Sequence, residues 1–180
     1  GEGYTKIQEV KHHAVFSKKP YLILEAHWSL YDKNVDKGQY LYYKDNFRAV
    51  PVPGTQYTYD FSKEDFYVYM IAHMAKHFYE NGCGIRNVAD IYVYLKTQGS
   101  LLDRAYIDGE LKKLGLTSFE VHMSKLAQIW LGNEESTEFY NQLFDYMVDC
   151  GIYGKGENGV WGQFVKDQAE RGSSLKTWYY

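Results

Sequence analysis

The stretch SKEDFYVYMIAHMAKHFYENGCGIRNVADIYVYLKT, residues 62–97, decides the fold. Ser62 with Asp65 three positions on resembles a capping box, Asp standing in the Glu/Gln place, and marks a helix start. Phe66, Met70, Met74 and Phe78 then recur at helical spacing. His73 and His77 are four apart and project from one face of that helix. Gly82 and Gly84 end it. A second helix follows, with Val88, Ile91, Tyr92 and Leu95 as its apolar side and with Arg86 and Asp90 four apart. Two helices joined by a glycine turn predict a hairpin. It carries two histidines, Lys76, Arg86 and Asp90 within a mostly apolar pair, either as the polar seam of a core or as the wall of a site.

C-terminal to this hairpin the pattern stays helical. Leu102, Ile107, Leu111 and Leu114 define a helix from Leu101 that Gly115 closes. Thr117 and Glu120 read as a second capping box, opening a helix with Phe119, Met123, Leu126, Ile129 and Trp130. Gly132 ends it, and Phe139, Leu143, Phe144 and Met147 mark another over 134–150. Residues 151–162 hold five glycines and no periodicity, which predicts a loop, and Gln163 to Arg171 is weakly helical.

N-terminal to the hairpin the period changes to two. Residues 3–16 alternate and predict one or two short strands, and Ser17 to Pro20 is a turn. Tyr21 to Trp28 is apolar on both faces apart from Glu25 and His27, which predicts a central strand with those two side chains on one face. A carboxylate in such a strand is costly unless paired, hydrogen-bonded or metal-bound; an edge position in water is the plain alternative. Tyr40, Tyr43 and Phe47 predict a helix over 37–48, with a strand as the alternative. Pro51 and Pro53 interrupt the chain, and Gln56 to Phe61 reads as a short strand. The architecture expected is α+β: a sheet region over residues 1–61, then a bundle of about five helices over 62–180.

Composition narrows the function classes. A chain of 180 residues with net charge −3 has no global pull toward nucleic acid, and no basic stripe supports such a partner. Its 45% hydrophobic content argues against extended disorder. Nineteen tyrosines predict a thin core rimmed by phenols. Two cysteines build no disulfide framework, and nothing resembles a secretory signal or a spanning segment, so a cytoplasmic protein with no membrane partner is expected. The Gly-Glu-Gly-Tyr opening and the Trp-Tyr-Tyr ending suggest an excised piece.

Chemical motifs are sparse. His73 and His77 have the spacing of two zinc ligands, with Glu25 or His27 as a third, but Met74 follows His73 where a metalloprotease needs Glu. Neither phosphate-loop consensus occurs. Gly154-Lys155-Gly156 reads as a connector, Cys83 as a weak nucleophile candidate and Cys150 as core.

The segments LILEAHW (22–28), HMAKHF (73–78) and IRNVADIY (85–92) together resemble an uncharacterised nucleotidyltransferase family of bacteria, over about residues 3–130. The resemblance implies a nucleotidyltransferase-type sheet joined to a C-terminal helical bundle. It also implies magnesium-dependent transfer of a nucleoside monophosphate from a nucleoside triphosphate to an unknown acceptor, by two-metal chemistry. Glu25 would match the third, metal-binding and catalytic carboxylate. His27, His73, Lys76, His77, Arg86 and Asp90 are the candidate substrate-binding residues, Lys76 or Arg86 meeting phosphate or acceptor and Asp90 orienting a partner. The family's Gly-Ser turn and Asp-x-Asp pair have no counterpart here. Gly99-Ser100 with Asp108 and Glu110 imitates them, yet lies in a helical region after the Glu25 strand. The expectation is therefore a fragment lacking its N-terminal catalytic half, inactive as it stands. Two other classes stay open: a Tyr-rich helical module that binds a protein partner, and a His/Glu metal-binding protein.

Overall fold

The computed structural model describes residues 2–45, 48–80 and 82–151. The chain divides into two compact units, Gly1–Phe61 and Ser62–Tyr180. Small antiparallel sheets dominate the first and α-helices fill the second, so the class is α+β.

In the first unit, strands β1 (Thr5–Glu9), β2 (His13–Lys18) and β3 (Leu22–His27) form an antiparallel meander in the order β1-β2-β3. The turn after Lys18 sets the register, so Val15 faces Glu25 and His13 faces His27. A short helix α1 (Lys37–Tyr43) follows. It packs Tyr43 against Tyr31 with the rings stacked 5.4 Å apart. A two-residue ladder, β4 (Val50–Pro51) with β5 (Tyr59–Asp60), completes the unit. Buried apolar side chains here are few: Ala14, Val15, Tyr31 and Tyr43.

The central strand is β2, not β3, which corrects the sequence expectation. Leu22, Ile23 and Leu24 are exposed, and among the described residues β3 pairs on one side only. An apolar run on both faces predicts burial on both faces, but its place in the sheet depends on which strands find partners. Here β2 has two and β3 has one.

In the second unit, α2 (Lys63–Glu80), α3 (Arg86–Gln98), α4 (Arg104–Leu114), α5 (Thr117–Gly132) and α6 (Glu138–Asp149) surround one core, with a 3-10 turn at Gly99–Leu101. The Ser62 cap forms: its Oγ accepts the Asp65 N–H at 3.0 Å and donates to the Asp65 carboxylate at 2.9 Å. The buried stripe of α2 runs through Tyr67, Val68, Ile71, Ala72, Met74, Ala75 and Phe78. Phe66, expected on that stripe, is exposed. The wide stripe follows from packing against three helices, which buries more of the surface than one seam would. Phe78 sits edge-on to Phe119 and Tyr146 at 5.5 and 5.4 Å. Gly115 takes the left-handed conformation (φ 68°) at the end of α4, as a closing glycine should.

The second expected capping box does not form. Leu116 precedes α5, and no side chain caps that end. Glu120 turns inward instead, because a guanidinium waits there. Arg104 grips it with two parallel bonds of 2.8 and 2.7 Å, and Tyr67 and Ser124 donate to the same carboxylate at 2.7 and 2.9 Å. Glu120 is 2% exposed. Asp108 and Glu110, the imitation motif, lie on α4, paired with Arg104 and Lys113 respectively. The helix expected from 134 begins at Glu138, its burial carried by Leu143 and Met147. The glycine-rich segment, Gly154-Lys155-Gly156 included, and the Gln163 to Arg171 helix lie outside the described residues, apart from Gly151 itself.

Candidate functional site

Two places hold the candidate residues, one in each unit. In the helical unit, the turn between α2 and α3 opens into a cleft of ≈ 270 Å³. His73, His77, Gly82, Cys83, Arg86, Asn87 and Asp90 line it. The helical period explains the histidines: i and i+4 on α2 stack one above the other, and their rings meet edge to face at 4.6 Å. Their Nε2 atoms are 3.2 Å apart. That contact needs one bare Nε2 as acceptor, so a proton on both Nε2 atoms breaks it.

Arg86 opens α3 and reaches solvent, 80% exposed in its side chain, with its Nε 4.0 Å from the Asp90 carboxylate. That distance is beyond a hydrogen bond, and an exposed i,i+4 pair of this kind holds the guanidinium weakly. The fork is therefore accessible to an incoming anion. Carbonyls of Gly84 and Ile85 accept the Asn87, Val88 and Ala89 N–H groups. The polar groups the cleft offers are accordingly its side chains, Arg86, Asn87, Asp90 and the two histidines. Lys76 lies on α2 between the two histidines in sequence and is not among the lining residues.

Cys83 lines the cleft but is no nucleophile. It is buried, and burial, then the neighbouring Cys150, push its thiol well above the ordinary range. A thiolate is what attacks, and this thiol stays protonated. Cys150 is core, as its place on a helical face implied.

In the sheet unit, Glu25 and His27 share a face of β3, with Glu25 Oε2 3.5 Å from His27 Nε2. His27 stacks on His13 across the ladder, ring centroids 4.7 Å apart. His12 stands 4.8 Å from His13 and 5.8 Å from His27. Reading the sequence strand by strand placed His12 and His13 in a strand and assigned them nothing. The signal lay in the hairpin arithmetic: pairing about the turn after Lys18 sets His13 opposite His27.

The model of an uncharacterised nucleotidyltransferase family matches residues 1–132. The chain belongs to that family. The match spans the whole sheet unit and the helical unit through the end of α5, leaving α6 beyond it. It supports a nucleotidyltransferase-like function. No curated protein and no solved structure matches the chain.

The magnesium that the family chemistry implies finds a poor donor set around Glu25. Magnesium takes carboxylate and water oxygens in octahedral geometry, whereas the ligating neighbour of this carboxylate is an imidazole. Among the described residues, the one group of three potential metal ligands is His12, His13 and His27, and Glu25 is not in it. A two-metal site does not fit here. Among the described residues no helix is long and apolar enough to cross a membrane.

Proposed function

We propose that this protein acts in nucleotidyl transfer and that the cleft between α2 and α3 receives a phosphate-bearing part of a substrate. One observation carries the proposal: within a chain of this family, an exposed arginine and two histidines in edge-to-face contact converge on one cleft. Arg86 offers a planar fork matched to phosphate oxygens. Its contact with Asp90, at 4.0 Å, leaves the fork open to a second anion. A bound phosphate would favour a proton on whichever of His73 and His77 faces it, while the other can keep the bare Nε2 that their contact needs. Asn87 lines the same cleft and already donates to the Gly84 carbonyl at 3.3 Å, which holds the turn in shape.

Titration of the protein with a fluorescent nucleoside triphosphate and magnesium tests this. Arg86→Ala should weaken binding roughly 10-fold or more, the value of a lost charge-assisted hydrogen bond. Absence of measurable binding, or equal binding by Arg86→Ala, overturns the reading.

A second reading, a protein-interaction module, is favoured by one observation: Tyr21, Leu22, Ile23, Leu24 and Trp28 are all exposed along or beside β3. Such a contiguous apolar strand is where a partner strand adds. Ile23→Lys separates the two readings, since it should abolish partner binding and leave the nucleotide titration as it is.

A further inference from the structure

We propose that His12, His13 and His27 bind one late first-row divalent cation of the zinc type, with Glu25 as the positioning residue for His27. Every step of the assembly follows from the hairpin. Antiparallel pairing sets His13 directly opposite His27, so both rings lie on one face. His12 would point to the other face in a regular strand, but it precedes β2 in a bend, and the break in alternation lets its ring converge with the other two. One ligand nitrogen from each ring then lies within 4.8 Å of the others.

Two zinc ligands at about 2.1 Å subtend roughly 3.4 Å at a tetrahedral angle. Ring rotations alone can close the difference, because the backbone at this end of the hairpin is already tied. The His12 carbonyl accepts the Trp28 and Ser29 N–H groups at 3.1 and 3.4 Å. Val10 N–H donates to the His13 carbonyl at 2.9 Å, and the Trp28 indole donates to the Lys11 carbonyl at 3.3 Å.

Three further features point to a cation. The Nδ1 of His13 is buried with no hydrogen-bond partner. A buried imidazole nitrogen in that state carries an uncompensated desolvation cost, and a metal ion would remove it. Three close imidazoles that gain protons repel one another, while neutral imidazoles sharing a cation attract it. Glu25, 3.5 Å from His27 Nε2, stands where a carboxylate could take the ring N–H and so fix tautomer and ring orientation, as at metal sites.

Imidazole donors select zinc, copper, nickel or cobalt over magnesium. His27 is exposed, so the fourth position faces solvent. This site shares no residue with the cleft of the helical unit and does not depend on the function proposed for it.

Protein prepared without a histidine tag, stripped with a chelator and titrated with cobalt(II), tests the proposal. Cobalt reports its own coordination in its visible spectrum. One ion per chain with a tetrahedral-type spectrum is expected, displaced by stoichiometric zinc. His13→Ala and His27→Ala should each weaken binding at least about 100-fold, and Glu25→Gln about 10-fold, as loss of a ligand and of its orienting partner require. His73→Ala with His77→Ala should change nothing. Circular dichroism checks that the variants fold, and the wild-type spectrum stands independently of them. Absence of a tetrahedral cobalt spectrum overturns the proposal, as does cobalt lost on replacing His73 and His77 but kept on replacing His13 and His27.

Discussion

Glu25 and Glu120 are each a carboxylate on an apolar element, and their surroundings could hardly differ more. Glu120 lies on α5 with an arginine fork on both oxygens and two hydroxyls donating to it. Glu25 lies on an exposed strand beside an imidazole 3.5 Å away. The first is buried and fully satisfied; it locks α2, α4 and α5 together. The second is open to solvent and stands beside His27, which stacks on His13, whose Nδ1 is buried with no hydrogen-bond partner. Burial with complete pairing makes a structural junction, while incomplete pairing within reach of solvent leaves capacity for a ligand.

The largest expected effect comes from breaking the satisfied side. Arg104→Met leaves the Glu120 carboxylate buried beside two hydroxyls and no cation, which costs about 3–5 kcal/mol, toward the lower figure because Arg104 is half exposed. Urea unfolding followed by circular dichroism measures it; a loss below about 1 kcal/mol would show that the junction is not what joins the helices.

Acid probes the same side more gently. Burial raises the Glu120 carboxyl, but the Arg104, Tyr67 and Ser124 bonds outweigh it, so the folded group titrates below its ordinary 4.5. The unfolded chain therefore takes up the proton first, and stability falls as pH drops below about 4.5. His122 acts earlier. Burial lowers it from 6.5, so the unfolded chain again binds more protons, and stability begins to fall below about pH 6.5. His122→Gln should remove that first slope in a pH series of unfolding midpoints and keep the second. A midpoint that stays flat from pH 7 to pH 4 contradicts both assignments.

The smallest effect is the sharpest comparison. Glu25→Gln should move the unfolding free energy by no more than about 0.5 kcal/mol, as for an exposed residue whose contact with His27 lies in solvent. A loss as large as that of Arg104→Met would erase the distinction between the two carboxylates.

Much of the helical unit was legible. Ser62 and Asp65, the Gly115 stop and the Leu143–Met147 face are local signals, and local hydrogen bonding satisfied them as read. The reading failed where two local meanings competed. Thr117 with Glu120 fits a capping box on paper, but a guanidinium thirteen residues before Thr117 offered Glu120 a stronger bond than an exposed N–H could. Likewise an apolar run at residues 21–28 reads as a central strand until the pairing order places β2 in the middle. Of the candidate site residues, His73, His77, Arg86 and Asp90 line one cleft, Lys76 is not in its lining, and Glu25 and His27 belong to the sheet unit. His12 and His13 went unassigned because adjacency along a chain says nothing about convergence across a ladder.

The sequence by itself determined the periodicities, and with them the α+β class, the Ser62 and Gly115 helix ends and the family resemblance, because each depends on residues within a turn or two of one another. Only the tertiary structure decided which carboxylate is buried, which strand is central and which histidines meet. Those outcomes depend on partners far apart in the chain, and free energies of pairing and desolvation are properties of the pair, not of either residue alone.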